Sequence, residues 1–324
     1  MRVKCTVCKG SAVIDLPRHN ANFCGDHLLE FCRRQVARAI AEFDLLSEGD
    51  RVLLAVSGGK DSLALWDVLD HLGYDTHGLY VGLGIGEYSD TSVEFVRRFA
   101  SERDAALTEV DLLAEHGYDI PGAAARGRRS PCSACGLSKR HVFDRVALDG
   151  DYDALATGHN LDDEAAVLFG NVLRWQIDFL ERQRPLLPAR NGLPRKVKPL
   201  VRLTERETAA YCIVAGIDYQ VDECPMAAGN RHLAYKEILN DIEVRSPGSK
   251  ANFYLSFQRR AVGFFDQAGD RAREELVTCD GCGAPSPSTT CAFCRLEAHA
   301  GASGNSETGI TVPRPPEPAH QDHR

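Results

Sequence analysis

Twelve cysteines are the most chemically telling residues of this 324-residue chain, and their spacing sorts most of them into groups. Cys5, Cys8, Cys24 and His27 read C-x2-C, fifteen residues, C-x2-H; Cys279, Cys282, Cys291 and Cys294 read C-x2-C, eight residues, C-x2-C. Each set offers four soft or borderline donors in two close pairs, the pattern of a tetrahedral structural zinc site. Small residues follow the knuckles, Gly10 at the first and Gly281 and Gly283 at the second. Four protein ligands leave no open position, so neither zinc is expected to be catalytic. The third group has three members, Cys132 and Cys135 in SPCSACG and the distant Cys224 in DECP, with no histidine at ligand spacing beside them. Three thiolates with a free fourth position suit a catalytic metal, or an iron–sulfur cluster with one iron open to an outside ligand. A redox pair, one cysteine as persulfide and another resolving it, fits the same residues. So does a C-x2-C loop unrelated to Cys224. Cys32 and Cys212 read as buried filler.

The second chemical segment is Ser57-Gly58-Gly59-Lys60-Asp61-Ser62. Two glycines let the backbone bend tightly into a helix start, where free N–H groups and the helix dipole favour a phosphate chain. Ser57 and Ser62 add hydroxyls and Lys60 a charge. The pattern G-x4-G-K-[ST] is absent, so this is not a Walker A loop.

The elements around these residues alternate. Arg51–Val56 is a continuous apolar run of the kind a central parallel strand shows, followed by a helix to about Leu72. His77–Gly82 reads as a strand, Thr91–Arg103 as a helix, Leu107–Leu112 as a strand and Gly136–Leu148 as a helix. Tyr152–Thr157 is a fourth strand ending in Gly158-His159-Asn160. A helix follows with Leu168, Val172, Trp175 and Phe179 on one face; Asn160 caps it, and Asp162, Asp163 and Glu164 fill its first turn. Thr204 and Glu207 form a capping box for a helix to about Ala215. The alternation predicts an open, mostly parallel α/β sheet with helices on both faces, flanked by two small zinc-binding modules. The expected organisation is an N-terminal zinc module over 1–35, the α/β domain over 36–270, a zinc ribbon over 271–298 and a disordered tail over 299–324.

Composition is that of a globular protein, 44% hydrophobic and 26% charged, which excludes global disorder. No run approaches a membrane span, and the N-terminus has no apolar signal region, so a cytoplasmic protein with reduced thiols is expected. The net charge of −8 excludes a broadly cationic coat for nucleic acid but leaves room for local basic faces. Two segments offer them. Arg182, Arg184, Arg190, Arg195, Lys196, Lys198, Arg202 and Arg206 face only Glu205 within residues 182–206, and Arg126, Arg128 and Arg129 precede Cys132. These are the expected phosphate contacts.

SGGKDS after an apolar strand resembles the PP-loop of ATP pyrophosphatases, which adenylate a substrate and release pyrophosphate. GHNLDDEA at 158–165, the internal C-x2-C with a distant third cysteine, and the two terminal zinc patterns together resemble the TtuA-type tRNA 2-thiouridine synthetases. These are relatives of the cytosolic wobble-uridine thiolase and of the tRNA 2-thiocytidine synthetase, which lacks the zinc modules. The resemblance covers roughly residues 3–295. It implies that Ser57, Gly58, Gly59, Lys60, Asp61 and Ser62 hold ATP phosphates, with Ala55, Val81 and Gly158 lining the nucleotide pocket. It implies that Cys132, Cys135 and Cys224 hold a 4Fe-4S cluster, and that Lys139 and Asp163 face the reacting centre. Further implications are Mg²⁺, two structural Zn²⁺, tRNA as substrate, a thiocarboxylated ubiquitin-like sulfur carrier and a homodimer. The favoured target is the T-loop uridine at position 54. Alternatives are the wobble uridine at 34, a PP-loop amidotransferase that needs none of the three cysteines, and a zinc-finger RNA-binding protein.

Overall fold

The computed structural model describes residues 3–127, 129–227, 231–265 and 276–301. After a hairpin of β1 (Ile14–Leu16) and β2 (Ala21–Phe23) comes α1 (Gly25–Phe43). There follow β3 (Arg51–Val56), α2 (Lys60–His71), β4 (Asp75–Gly82), α3 (Gly86–Glu102), β5 (Ala106–Asp111), α4 (Leu112–His116), α5 (Ile120–Arg126) and α6 (Pro131–Asp149). The chain continues through β6 (Ala154–Thr157), α7 (Leu161–Leu173), α8 (Ile177–Glu181), β7 (Leu186–Leu187), β8 (Lys196–Val197) and α9 (Glu205–Ala215). Then come α10 (Arg231–Arg245), α11 (Ser249–Ser256), β9 (Val277–Thr278), β10 (Pro285–Ser286) and a last helix, α12 (Ala292–Ala300).

Six strands form one sheet in the order β5-β4-β3-β6-β8-β7, parallel except for the edge pair β7 with β8. The expected open parallel sheet is therefore present. The order reverses between β3 and β6, which makes the C-terminal ends of those two strands the switch point where a ligand crevice opens. Strand alternation splits the core. Val52, Leu54 and Val56 of β3 and Ala154 and Ala156 of β6 pack on one side, with α1, α2, α7 and α9. Leu53, Leu79, Val81 and Leu155 pack on the other, with α4, α5, α6 and α12. One helix ties the N-terminal module to the body, since α1 carries His27 near its start and Val36, Ala39 and Ile40 in the main core.

Several expectations need correction. The helix after β6 does not run through Phe179. It ends at Leu173, because Trp175 takes a left-handed φ of 49° and breaks the helical hydrogen bonding before α8. Leu168 is buried, but Trp175 and Phe179 are 70% and 59% exposed, so the expected apolar face is split. The third-group helix begins at Pro131, not Gly136: a proline at the first helical position is already shaped for the turn, and it brings Cys132 and Cys135 onto the helix. The helix α3 begins at Gly86 rather than Thr91, and strand ends shift by one or two residues. The last helix extends to Ala300, past the expected start of the tail; residues 302–324 lie outside the described ones. Among the described residues no helix is long and apolar enough to cross a membrane.

Candidate active site

Three helix N-termini converge at the switch point. Those of α7 and α9 are closed by their own capping boxes, Asn160 with Asp163 and Thr204 with Glu207. The start of α2 follows Gly59, which has no side chain with which to cap it. Its first-turn N–H groups are the ones free to receive an anion. The loop before it is held open from within. Ser57 N donates to Ser62 Oγ at 3.1 Å, and Ser62 Oγ donates to Gly59 O at 2.9 Å. Gly58 has a φ of +76°, and a Cβ there would sit 2.5 Å from Ser92 O. Gly158, at the end of β6, packs so closely that a Cβ would fall 2.9 Å from Asp61 C and Ser62 N. These glycines let the two strand ends and the α2 start meet at backbone distance. Ala55 is half-buried, and Val81 on β4 is a buried wall residue at 2% exposure.

Around the loop lies a charged network that the sequence reading did not find. Lys60 Nζ donates to Glu205 Oε1 at 2.8 Å and Asp61 Oδ2 at 3.1 Å. Thr208 Oγ1 and Asn160 Nδ2 donate to Asp61 Oδ1, the latter at 3.1 Å. Lys236 bridges Asp163 at 2.6 Å and Glu205 at 3.3 Å. Burial raises the Asp61 carboxyl above its ordinary pKa against the pull of Lys60, Thr208 and Asn160. Burial opposes the Lys60 and Lys236 charges, but their carboxylate partners win and raise both. The three acids at the start of α7 have different roles. Asp162 pairs with the buried Lys250, and Glu164 accepts from Lys198 at 2.8 Å and from Gln183 at 2.9 Å. Asp163 joins the loop network through Lys236, and Asp162 touches it through the backbone, its Oδ2 accepting from Glu205 N at 2.8 Å.

The third cysteine group is assembled from two places. Cys132 and Cys135 are the second and fifth residues of α6, the former exposed and the latter half-buried, with Lys139 one turn beyond Cys135. Cys224 lies in the segment after α9. That segment is pinned at both ends: Gln220 N donates to Gly58 O at 2.9 Å, and Cys132 Sγ lies 3.6 Å from Met226 O. Burial raises the Cys135 thiol, with Lys139 pulling it down and the charges of Cys224 and Cys132 pushing it up. Tyr88, raised by burial, also feels Cys224 and Cys135. The three thiols thus share one neighbourhood beside the loop. They do not close to the spacing of a single-ion site among the described residues, whereas the other two groups do. The chemistry of the set, three thiolates with a free fourth position, is what a cluster with one open iron takes.

The terminal groups fit one ion each. Cys5, Cys8, Cys24 and His27 have ligand atoms within 4.8 Å of one another, as do Cys279, Cys282, Cys291 and Cys294. Burial opposes ionisation at Cys5 and Cys279, but knuckle N–H groups win and lower each thiol to about 6. Burial and the neighbouring thiols raise Cys282 and Cys294. At Cys24 the His27 N–H pulls down, but burial and the neighbouring thiols win and raise it, so a bound ion would have to draw protons from these three. A thiolate at neutral pH is what zinc needs.

The expected basic segment 182–206 needs correction. Arg195 pairs with Asp50, Lys196 with Asp144, Lys198 with Glu164 and Arg202 with Glu42. These are internal struts, and Arg182, Arg190 and Arg206 remain exposed. In the second segment Arg126 reaches the carbonyl of Ala300 and Arg129 is exposed; Arg128 lies outside the described residues.

The profile of the TtuA 2-thiouridine synthetase N-terminal LIM domain matches residues 4–29, and that of the PP-loop domain matches 29–235. A tRNA-5-methyluridine(54) 2-sulfurtransferase of Thermus thermophilus is 46% identical over 90% of this chain and 90% of its own length. The chain belongs to the TtuA 2-thiouridine synthetase family. A second TtuA relative, the tRNA-5-methyluridine(54) 2-sulfurtransferase of Pyrococcus horikoshii, is 39% identical over 91% of this chain and 93% of its own. The fold of this TtuA-family chain matches that of the U34-tRNA thiolase NcsA from Methanococcus maripaludis, solved with its 4Fe-4S cluster. The TM-score is 0.73 at 22% identity, covering 95% of this chain and 98% of that one.

Proposed function

We propose that this chain is an ATP-dependent tRNA sulfurtransferase that replaces the C2 oxygen of the T-loop 5-methyluridine at position 54 with sulfur. The observation that carries the reading is the segment 220–226, which touches the phosphate-binding loop at Gly58 and the Cys132 thiol at its two ends. ATP and sulfur chemistry would then share one crevice, which an enzyme of either chemistry alone does not need. Family membership with relatives of that printed activity supports the same reading.

The chemistry follows from the residues. A C2 oxygen is a poor leaving group, so it is first joined to the α-phosphorus of ATP with departure of pyrophosphate. Loop N–H groups at the α2 start, with Ser57, Ser62 and Lys60, bind the departing phosphates where charge develops. Asp61, held by Thr208 and Asn160, fixes Lys60 beside them. Mg²⁺ would neutralise further phosphate charge when bound. Asp163, on the rigid start of α7, faces this network and takes or orients a proton of the base. A sulfur nucleophile then forms the C2–S bond and expels AMP. Cys132, Cys135 and Cys224 would hold a 4Fe-4S cluster that, when bound, supplies an iron open to the incoming sulfur. Lys139 keeps positive charge beside Cys135. The two four-donor groups would hold structural zinc. The sulfur source is a thiocarboxylated ubiquitin-like carrier, and the working unit is a homodimer.

The test is anaerobic. Cluster-reconstituted protein is incubated with unmodified tRNA, ATP, Mg²⁺ and sulfide, and RNase fragments are weighed for the oxygen-to-sulfur shift. A shift in the T-loop fragment supports the assignment; one in the anticodon fragment moves it to the wobble uridine. A variant with serine at Cys132, Cys135 and Cys224 that still puts sulfur into the tRNA would sink the sulfur-transfer role of these cysteines.

A further inference from the structure

We propose that Arg18, in the N-terminal zinc module, is a positioning residue for the ATP-binding loop and acts through the first turn of α9. The inference rests on the ATP-binding reading of that loop. Arg18 lies in the tight turn Pro17–His19 that joins β1 to β2. Its guanidinium crosses to the catalytic body, where Nε donates to Glu207 Oε1 at 2.9 Å, Nη2 to Glu207 Oε2, and Nη2 again to the Arg202 carbonyl at 2.9 Å. The pair is desolvated, with side chains 8% and 0% exposed. A two-toothed arginine–carboxylate contact fixes orientation as well as distance.

Glu207 is also the third residue of α9 and helps cap its start. Its Oε2 accepts from Thr204 N at 2.8 Å, completing the capping box. The same helical turn carries both side chains that hold the loop's charges. Glu205 takes Lys60, and Thr208 takes Asp61. Deeper in the helix Tyr211 donates to Asp67 of α2 at 2.6 Å, and Cys212 Sγ lies 3.4 Å from Lys60 O. Glu205, Glu207 and Thr208 share the first turn of α9, and Thr208 Oγ1 donates to Glu205 O at 3.1 Å within it, so the module's grip on the backbone of this turn at Glu207 sets where Glu205 and Thr208 stand. A cavity of about 580 Å³, lined by Leu16, Arg18, Glu205 and Glu207 among others, lies beside the contact. Leu16, two residues from Arg18, is buried in the main core, so the ion pair adds a directional contact to apolar packing at this junction. Misplacing a reacting group by an ångström is costly, so a small tilt of this turn would be felt at the phosphates.

The experiment measures binding of a non-hydrolysable ATP analogue by calorimetry, and kcat and KM for ATP, in cluster- and zinc-loaded full-length protein. Glu207→Gln keeps an amide oxygen for the Thr204 cap while removing the ion pair; Arg18→Lys keeps the charge but loses the fork. Arg18→Lys keeps both charges in place, and Glu207→Gln leaves the Arg18 guanidinium the Arg202 carbonyl and the amide oxygen as acceptors, whereas Arg18→Gln strands a fully buried carboxylate. Melting temperature is read for the two chosen variants to show that they fold. The expected result is a Kd and a KM for ATP raised about tenfold in Glu207→Gln, an intermediate rise in Arg18→Lys, and kcat at saturating ATP within about twofold of wild type. A lowered melting temperature with Kd and KM unchanged would overturn the coupling and leave a purely structural contact. Wild-type protein that binds no analogue would overturn the ATP reading and the coupling together, which separates the two failures.

Discussion

At the scale of residues, backbone contact at the switch point decides what can be substituted. A Cβ at Gly158 would meet the Asp61 and Ser62 backbone at 2.9 Å, and backbone cannot rotate away as a side-chain tip can. Gly158→Ala should therefore raise the Kd for ATP about tenfold or more, a cost of about 1.4 kcal/mol, while the protein remains folded. Calorimetry that returned an unchanged Kd would refute the close approach as a binding requirement. Asp163 makes a second test. Asparagine there keeps an acceptor for the Asn160 N–H but removes the charge that Lys236 holds at 2.6 Å. If Asp163 handles a proton, Asp163→Asn should lower kcat about 10²-fold or more with KM for ATP little changed. A rise in KM alone would reassign it to nucleotide binding. The glycines and acids of this site were legible because the requirement that selects them is local: a tight turn, a cap, a helix start. Lys236, Glu205 and Thr208 were not legible, because Glu205 and Thr208 reach the loop from 145 and 147 residues along the chain and Lys236 meets Asp163 from α10, all through a fold that must exist first. The same blindness made Arg195, Lys196, Lys198 and Arg202 look like free cations, since their carboxylates come from Asp50, Asp144, Glu164 and Glu42.

At the scale of elements, the sheet order and most helices followed from apolar runs and caps, and the misses came where one residue's backbone overrode a pattern. Apolar spacing alone carried the helix after β6 through Phe179, yet the left-handed Trp175 ends it. What spacing could not show is how α12 docks. His141 of α6 stacks on Phe293 of α12 with ring centroids 3.8 Å apart, and its Nε2 is buried without a hydrogen-bond partner among the described residues. Burial, His116 and Arg145 lower the His141 pKa to about 4, against the opposing pull of Glu297. The ring is thus neutral in the fold, and the unfolded chain binds a proton nearer 6.5. The stabilisation from the neutral ring is complete above pH 6.5 and is lost as pH falls from there towards 4. Between pH 7 and pH 5 the loss is about 2 kcal/mol. His141→Phe, which keeps the stacking face, should remove most of that acid sensitivity. Urea unfolding at both pH values checks it, and equal pH dependence in variant and wild type would count against the assignment.

At the scale of the whole molecule, a chain of net charge −8 must bind a polyanion through a restricted face. Pairing decides which cations are available. Arg129 and Arg140, on either side of Cys132 and Cys135, are exposed, and Lys139 is half-buried between them. On the proposed reading, their place beside the cysteines would set them where a tRNA loop lies when its base reaches both the sulfur and the ATP. Each phosphate neutralised contributes about 0.7 to 0.9 to the slope of log affinity against log salt. Reversing both, Arg129→Glu with Arg140→Glu, should weaken tRNA binding at low salt and flatten that slope by about 1 to 2. Lys196→Glu provides the contrast. Its ammonium lies 2.6 Å from Asp144, so reversal sets two carboxylates together and destabilises the fold while leaving the slope of the folded fraction unchanged. Filter binding across a salt series separates the two. A slope that moves with Lys196 and not with Arg129 and Arg140 would place the RNA at the β8–β7 end of the sheet instead of at the cysteine end of α6.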